Sequence, residues 1–177
     1  MKEEVILVNT EDKEIGLMEK MQAHRGAKLH RAFSVFLLND KGELLLQQRA
    51  LDKYHCGGMW TNTCCSHPRA GETLQDAVNR RLQEEMGIAC ETKWVYSFIY
   101  KADVGKGLFE HEFDHVFFGQ FSGTPQPNEK EVSNWQYVAL EDLKNDIEAN
   151  PDRYTPWFKI ILLEVSAKGV LNGLFSK

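Results

Sequence analysis

The segment GETLQDAVNRRLQEEMG, residues 71–87, constrains the fold of this chain more than any other. Leu74, Ala77, Val78 and Leu82 recur at helical spacing, Thr73 stands where it can cap with Asp76 three residues on, and Gly87 can end the run. Such a helix carries one apolar stripe and must lay it on another layer. The surrounding sequence supplies strands for that layer. Val5 to Val8 and Ala32 to Leu38 are short apolar runs, and the second leads through the turn Asn39-Asp40-Lys41-Gly42 into Leu44 to Gln48, which predicts a β-hairpin. Lys93 to Tyr100 and Leu108 to Phe121 are rich in aromatic and β-branched residues, and Asn128 to Val138 reads as a loop entering another short strand. Two helices are expected at the end, one from about Leu140 to Glu148 before Pro151, the other opening at Pro156 with Trp157, Ile160, Ile161 and Val165 as its stripe. Hairpin strands interspersed with helices predict an α+β or layered α/β/α sandwich with a mixed sheet.

No repeat, low-complexity stretch or Gly/Ser/Pro-rich linker divides the chain, so one domain over residues 1–177 is expected. A chain of 177 residues hides roughly 70% of its unfolded surface and needs no metal or disulfide merely to fold, so a metal here would be functional. The formal charge of −5 argues against nucleic-acid binding as the main task. Cys56, Cys64, Cys65 and Cys90 include an adjacent pair and follow no secreted or zinc-ribbon spacing, which suits reduced thiols and a cytoplasmic location. Met1 to Asn9 has only four consecutive apolar residues and reads as neither signal peptide nor membrane anchor. Neither a G-x-G-x-x-G nor a P-loop pattern is present.

Four groups of residues can carry chemistry. In Gly58 to Pro68 (GMWTNTCCSHP), Cys64, Cys65 and His67 are either packed loop residues or part of a site. In LFEHEFDHVF, residues 108–117, the strand period puts Glu110, Glu112 and Asp114 on one face. Phe109, Phe113 and Phe117 share the other with His111 and His115, so the odd face is expected to be core and the even face a carboxylate-lined cleft. The clustered acids are either solvated or gathered around a divalent cation, and His111 and His115 read as structural. His24, His30 and His67 with Glu110 and Glu112 would make a mixed nitrogen and oxygen set suited to zinc, manganese or iron. On the main helix, Arg81 and Glu85 are either an i,i+4 ion pair or a functional set, with Glu85 on magnesium and Arg81, Arg49 and Lys53 facing phosphate.

Ser66 to Ile88, S-x5-E-x7-R-R-L-x-E-E-x-G-I, resembles the Nudix box G-x5-E-x7-R-E-U-x-E-E-x-G-U, where U is bulky and aliphatic. Ser66 replaces the first Gly, and Arg81 replaces a Glu of the metal-binding core, which argues against diphosphate hydrolysis and for altered chemistry on a Nudix-like fold. The chain more specifically resembles the type I isopentenyl diphosphate isomerases. That likeness rests on E-K-x3-H at Glu19 to His24, W-T-N-x-x-C-x-H-P at Trp60 to Pro68, E-x-E at Glu110 to Glu112 and T-P-W at Thr155 to Trp157. It implies a 1,3-allylic proton shift in isoprenoid biosynthesis on a small isoprenoid diphosphate, by a monomer or weak homodimer. Residue by residue, it implies Cys65 and Glu112 as proton-transfer groups on opposite faces of the alkene, assisted by Tyr100. It further implies His24, His30, His67, Glu110 and Glu112 on zinc or manganese, and Glu85 with the backbone carbonyl of Cys65 on a magnesium bridging the diphosphate. Lys20, Arg49, Lys53 and Arg81 would bind that diphosphate, and Trp157 would line the isoprenoid tail. A Nudix-type diphosphate hydrolase and a non-catalytic metal or phospholipid-precursor binding module are the alternatives.

Overall fold

Alternation along one central strand organises the molecule. In the computed structural model, which describes residues 3–169, β3 (His30–Leu38) sends Phe33, Val35 and Leu37 to one face of the sheet and Phe36 and Leu38 to the other. The termini of the Met1–Asn9 segment and of the expected 1–177 domain, residues 1–2 and 170–177, lie outside the described residues. On the first face lies α2 (Leu74–Met86), where Ala77, Val78, Leu82 and Met86 are buried against Phe33, Val35 and Leu37. Its ends follow the expected chemistry: Thr73 accepts from the Asp76 amide, and Gly87 closes the helix at φ +63°, where a Cβ would lie 2.5 Å from the Gln126 carbonyl. On the second face lies α4 (Pro156–Ala167), whose Trp157, Phe158, Ile161, Leu162 and Val165 are buried, while Ile160 is only half-buried. Leu143 of α3 (Leu140–Ala149) joins this second core. Helices thus cover both faces of a mixed sheet, the expected layered α/β/α arrangement.

The remaining elements are β1 (Glu4–Val8), β2 (Glu14–Glu19), α1 (Lys20–Arg25), β4 (Leu44–Arg49), β5 (Trp60–Thr61), β6 (Cys64–Ser66), β7 (Thr92–Asp103), β8 (Phe109–Gln120) and β9 (Val132–Val138). β3 runs parallel to β8, from His30 opposite Glu112 to Leu38 opposite Gln120, and antiparallel to β6, where Ser34 faces Cys65. β7 and β8 form a long antiparallel pair that sets Tyr100 opposite Glu112. Candidate site residues from β3, β6, β7 and β8 therefore meet by register alone.

Two expectations are corrected. The turn at Asn39 to Gly42 forms, but β3 and β4 pair only at Leu38–Leu44 before they splay, and β4 pairs along its length with β9. Buried Thr63 fills the gap: its hydroxyl accepts from the Leu37 amide at 3.0 Å and donates to the Leu45 carbonyl at 2.6 Å, so the separated strands leave these backbone groups satisfied. On β8 the period was right, and Glu110 and Glu112 line a cleft as expected, but the even face is the more deeply buried one, and only His115 and Phe117 of the expected odd core face are buried. Glu110, Glu112 and Asp114 are the buried set, continuous with Val116 and Phe118 in the α4-side core, whereas Phe109, His111 and Phe113 are half-buried. Glu110 and Glu112 tolerate that position because imidazoles and a phenol face them, whereas neither Asp114 carboxyl oxygen has such a partner. No helix among the described residues is long and apolar enough to cross a membrane, and all four cysteines are free thiols.

Candidate functional site

The site lies at the front edge of β3 and β8, closed by α1 and by the turn after β6. Glu19 caps α1 by accepting from the amides of Met21 and Gln22, which orients this short helix so that Lys20 reaches the site and His24 points inward. His24 Nδ1 lies 2.6 Å from the Lys20 carbonyl, and His30 Nδ1 lies 2.8 Å from the Lys28 carbonyl. Each backbone oxygen takes the Nδ1 proton and leaves Nε2 facing the cluster, the arrangement in which a neutral imidazole offers a lone pair. His24 Nε2 meets Glu110 at 2.8 Å, and His67 Nε2 lies 3.2 Å from His30 Nε2 and 3.0 Å from Glu112. One ligand atom each from His24, His30, His67 and Glu110 falls within 4.8 Å of every other. Three imidazoles with bound carboxylates, deep in the fold, are a donor set that fits a divalent metal ion.

The electrostatics follow from crowding. Burial and the neighbouring Glu112 push the Glu110 carboxyl up, but His24 and His55 outweigh them and bring it to about 2. Burial drives His67 well below the ordinary histidine range, reinforced by His30, which keeps the ring neutral as a metal ligand must be. Burial would raise Glu112, and the contacts from His30 and Tyr100 reverse that and hold it below the usual carboxylate range. Tyr100 donates to Glu112 Oε2 at 2.5 Å, and burial with the Glu112 charge holds its phenol well above the ordinary tyrosine value, hence protonated. Asp114 is fully buried, and burial followed by the charge of Glu112 raises its carboxyl well above the ordinary carboxylate range.

Above this cluster a cavity is lined by Lys20, Arg49, Lys53, Cys65, His67, Arg81, Glu85, Tyr100, Glu110, Glu112 and Trp157, together with Gln47, Tyr54, His55, Ser66 and Glu131. His24 and His30 lie buried behind it. Every expected site residue is thus in one place. Burial pushes the Cys65 thiol up, against the pull of Arg49, so the sulfur carries its proton. The Arg49 guanidinium sits 5.2 Å from the Trp157 ring centre, and the His55 ring meets the same indole edge-on at 5.5 Å. Glu85 is gripped by Arg81 and accepts from Gln47 at 2.9 Å. The i,i+4 ion pair of Arg81 and Glu85 therefore forms, in the wall of the cavity.

A NUDIX domain model matches residues 28–158. In fold, the chain matches a Deinococcus radiodurans crystal structure with a TM-score of 0.77 at 22% identity, over 92% of this chain and 98% of that one. It also matches the MutT protein of Methanosarcina mazei with a TM-score of 0.65 at 17% identity, over 80% and 95% of the two chains. Isopentenyl-diphosphate Delta-isomerase 2 of Aromatoleum aromaticum is 47% identical over 98% of this chain and 92% of its own length, and the Burkholderia multivorans isopentenyl-diphosphate Delta-isomerase is 49% identical over 92% of each. The chain belongs to the isopentenyl-diphosphate Delta-isomerases.

Three residues of this isomerase site escaped the sequence reading. His55, 3% exposed, places Nε2 3.1 Å from Glu110, and its signal was a histidine two residues after Lys53. Gln47 positions Glu85 from β4, and Glu131 pairs with both Lys53 and Arg81. Neither carries a motif, since each acts through a partner distant in sequence. His111 and His115 are structural as expected. His111 bonds the Ala27 carbonyl at 2.8 Å, and His115 joins Asp12 and Ser97 at 3.0 and 2.8 Å.

Proposed function

We propose that Cys65 and Glu112 perform a 1,3-allylic proton shift interconverting isopentenyl and dimethylallyl diphosphate. One proton is added at the terminal alkene carbon and one is removed two carbons away, toward the diphosphate, so the double bond moves and atoms balance. The observation carrying this reading is that a protonated thiol and a buried carboxylate with a hydrogen-bonded phenol line one cavity, while Arg81 stands where a hydrolase of this fold would need a carboxylate. Protonation of an unactivated alkene creates tertiary cationic character, which an anionic, partly dehydrated Glu112 stabilises. The indole of Trp157 adds roughly 0.5–2 kcal/mol through the part of its π surface that Arg49 leaves free. Tyr100 fixes the Glu112 carboxylate and holds the proton shared at Oε2.

His24, His30, His67, Glu110 and Glu112 would hold zinc or manganese, and Glu85 with the Cys65 carbonyl would hold magnesium. Bound there, the cations supply positive charge that keeps the carboxylates ionised and neutralises a diphosphate. Lys20, Arg49, Lys53 and Arg81 anchor the anionic end of the substrate through charge-assisted contacts that a five-carbon apolar tail cannot provide.

Proton and phosphorus NMR of the protein with magnesium, manganese or zinc and isopentenyl diphosphate in deuterated water tests the proposal. Deuterium-labelled dimethylallyl diphosphate is expected. Cleaved diphosphate with an unchanged alkene would replace this reading with hydrolysis, and no change in either spectrum would replace it with a binding role.

A further inference from the structure

The cations expected to seat a diphosphate are not equivalent. Among the described residues Arg49 has no carboxylate partner, and its Nη2 donates to the His55 carbonyl at 3.2 Å. Lys20 reaches Glu3, which is largely exposed, at 3.2 Å. Lys53 and Arg81 instead converge on one carboxylate, that of Glu131, through a short contact from Lys53 Nζ and a 3.6 Å contact from Arg81 Nη2. Arg81 reaches Glu85 with the same Nη2. A single carboxylate bridging two cations inside the cavity sits where an oxyanion of a ligand would sit.

Glu131 is built into that position. Its amide donates to the Asn128 carbonyl at 2.8 Å, and its carbonyl accepts from the Ala50 amide at 2.9 Å. The loop before it is tied to the end of the main helix, since the Gln126 and Asn128 amides donate to the Met86 and Glu85 carbonyls, each at 2.9 Å. Lys53 is anchored to the same Ala50, through its amide to the Ala50 carbonyl at 3.3 Å. These bonds fix the main chain of Glu131, so its carboxylate stays within a side chain's reach of Lys53 and Arg81.

We infer that Glu131 is a resident stand-in for phosphate which makes the cavity select a metal-complexed diphosphate over a metal-free one. An uncomplexed diphosphate carries three to four negative charges and meets both Glu131 and Glu85 beside the cations it needs. The same group complexed by a divalent cation carries about two fewer charges and meets far less repulsion. The inference rests on the isomerase reading only for the presence of a diphosphate in this cavity.

Inorganic pyrophosphate, which has no alkene, is the probe. Calorimetric titration with pyrophosphate, once in chelator-treated buffer and once with excess magnesium, compares wild type with Glu131→Gln. The exposed neighbour Glu129→Gln controls for net charge, and thermal melts confirm that each variant is folded. Glu131→Gln is expected to tighten metal-free binding about tenfold and magnesium-complexed binding less than about threefold, while Glu129→Gln changes neither. Equal gains in both forms, no gain, weaker binding, or no binding of pyrophosphate to either protein would each overturn the inference. If isopentenyl diphosphate is not converted while the selective gain appears, the isomerase reading falls and this one stands.

Discussion

Replacing Tyr100 with Phe removes one oxygen from a 6%-exposed ring and leaves no cavity large enough to confuse the outcome. That oxygen donates to Glu112 Oε2 at 2.5 Å, and the other contacts of Glu112 are to His67 at 3.0 Å and His30 at 3.7 Å, both on Oε1. The substitution therefore strips the donor from one oxygen of a buried carboxylate and spares the other. A hydrogen bond to an ionised acceptor contributes about 1.5–3 kcal/mol. If that bond holds Glu112 for proton transfer, turnover falls by roughly 10- to 150-fold while KM, set by the diphosphate contacts, stays within about twofold. The donor also favours the ionised carboxylate, so its loss raises the Glu112 carboxyl and moves the acid limb of the kcat/KM profile to higher pH. Steady-state kinetics from pH 5 to 9, coupled to a product-specific prenyl transfer, reads both effects. An unchanged kcat with an unmoved acid limb would refute the reasoning, and a fall in melting temperature alone would reduce Tyr100 to packing.

Leu82→Ala, which opens a cavity among Phe33, Val35 and Phe117 under α2, should cost about 2–5 kcal/mol in urea unfolding with the slope unchanged. Glu72 receives two bonds from Arg80 at 2.7 and 2.8 Å, and that pairing lowers its carboxyl in the folded state. Its contribution is thus present above the unfolded value and lost as pH falls through the folded one. Glu72→Gln should cost about 0.5–1 kcal/mol at pH 7 and nothing near pH 2, read from paired denaturation curves. His67→Ala removes one of three converging imidazoles and should lower the bound zinc or manganese, measured by elemental analysis after dialysis, by at least about tenfold in affinity, and chelation should lower the melting temperature of the wild type more than that of the variant.

Local order was readable wherever a pattern needed no distant partner. The boundaries of α2 follow from Thr73 and Gly87, and α4 begins at Pro156 because proline fits a first helical turn. Much of the candidate site was readable because Lys20 and His24, Cys65 and His67, Arg81 and Glu85, and Glu110 and Glu112 sit in pairs within short motifs, whereas His30, Arg49, Lys53 and Tyr100 lie outside them. The hairpin kept its turn and a single pair, Leu38 with Leu44, because strand character and a good turn do not say which neighbour each strand will prefer beyond it. β3 had β6 and β8 to pair with and β4 had β9. The depth at which the acidic face of β8 is buried was not legible, because burying a carboxylate depends on its compensating partners and those of Glu110 come from residues 24 and 55.

By itself the sequence determined the helices, most strands, the altered Nudix box and many candidate residues of the site, because periodicity, capping and motif spacing are properties of neighbours along the chain. Only the tertiary structure decided which strands pair, which face of β8 is buried, that His55, Gln47 and Glu131 belong to the site, and that Lys53 and Arg81 share one carboxylate. Those are contacts between segments tens of residues apart. They depend on where the sheet register and the burial of charge leave each group, and no local pattern records that.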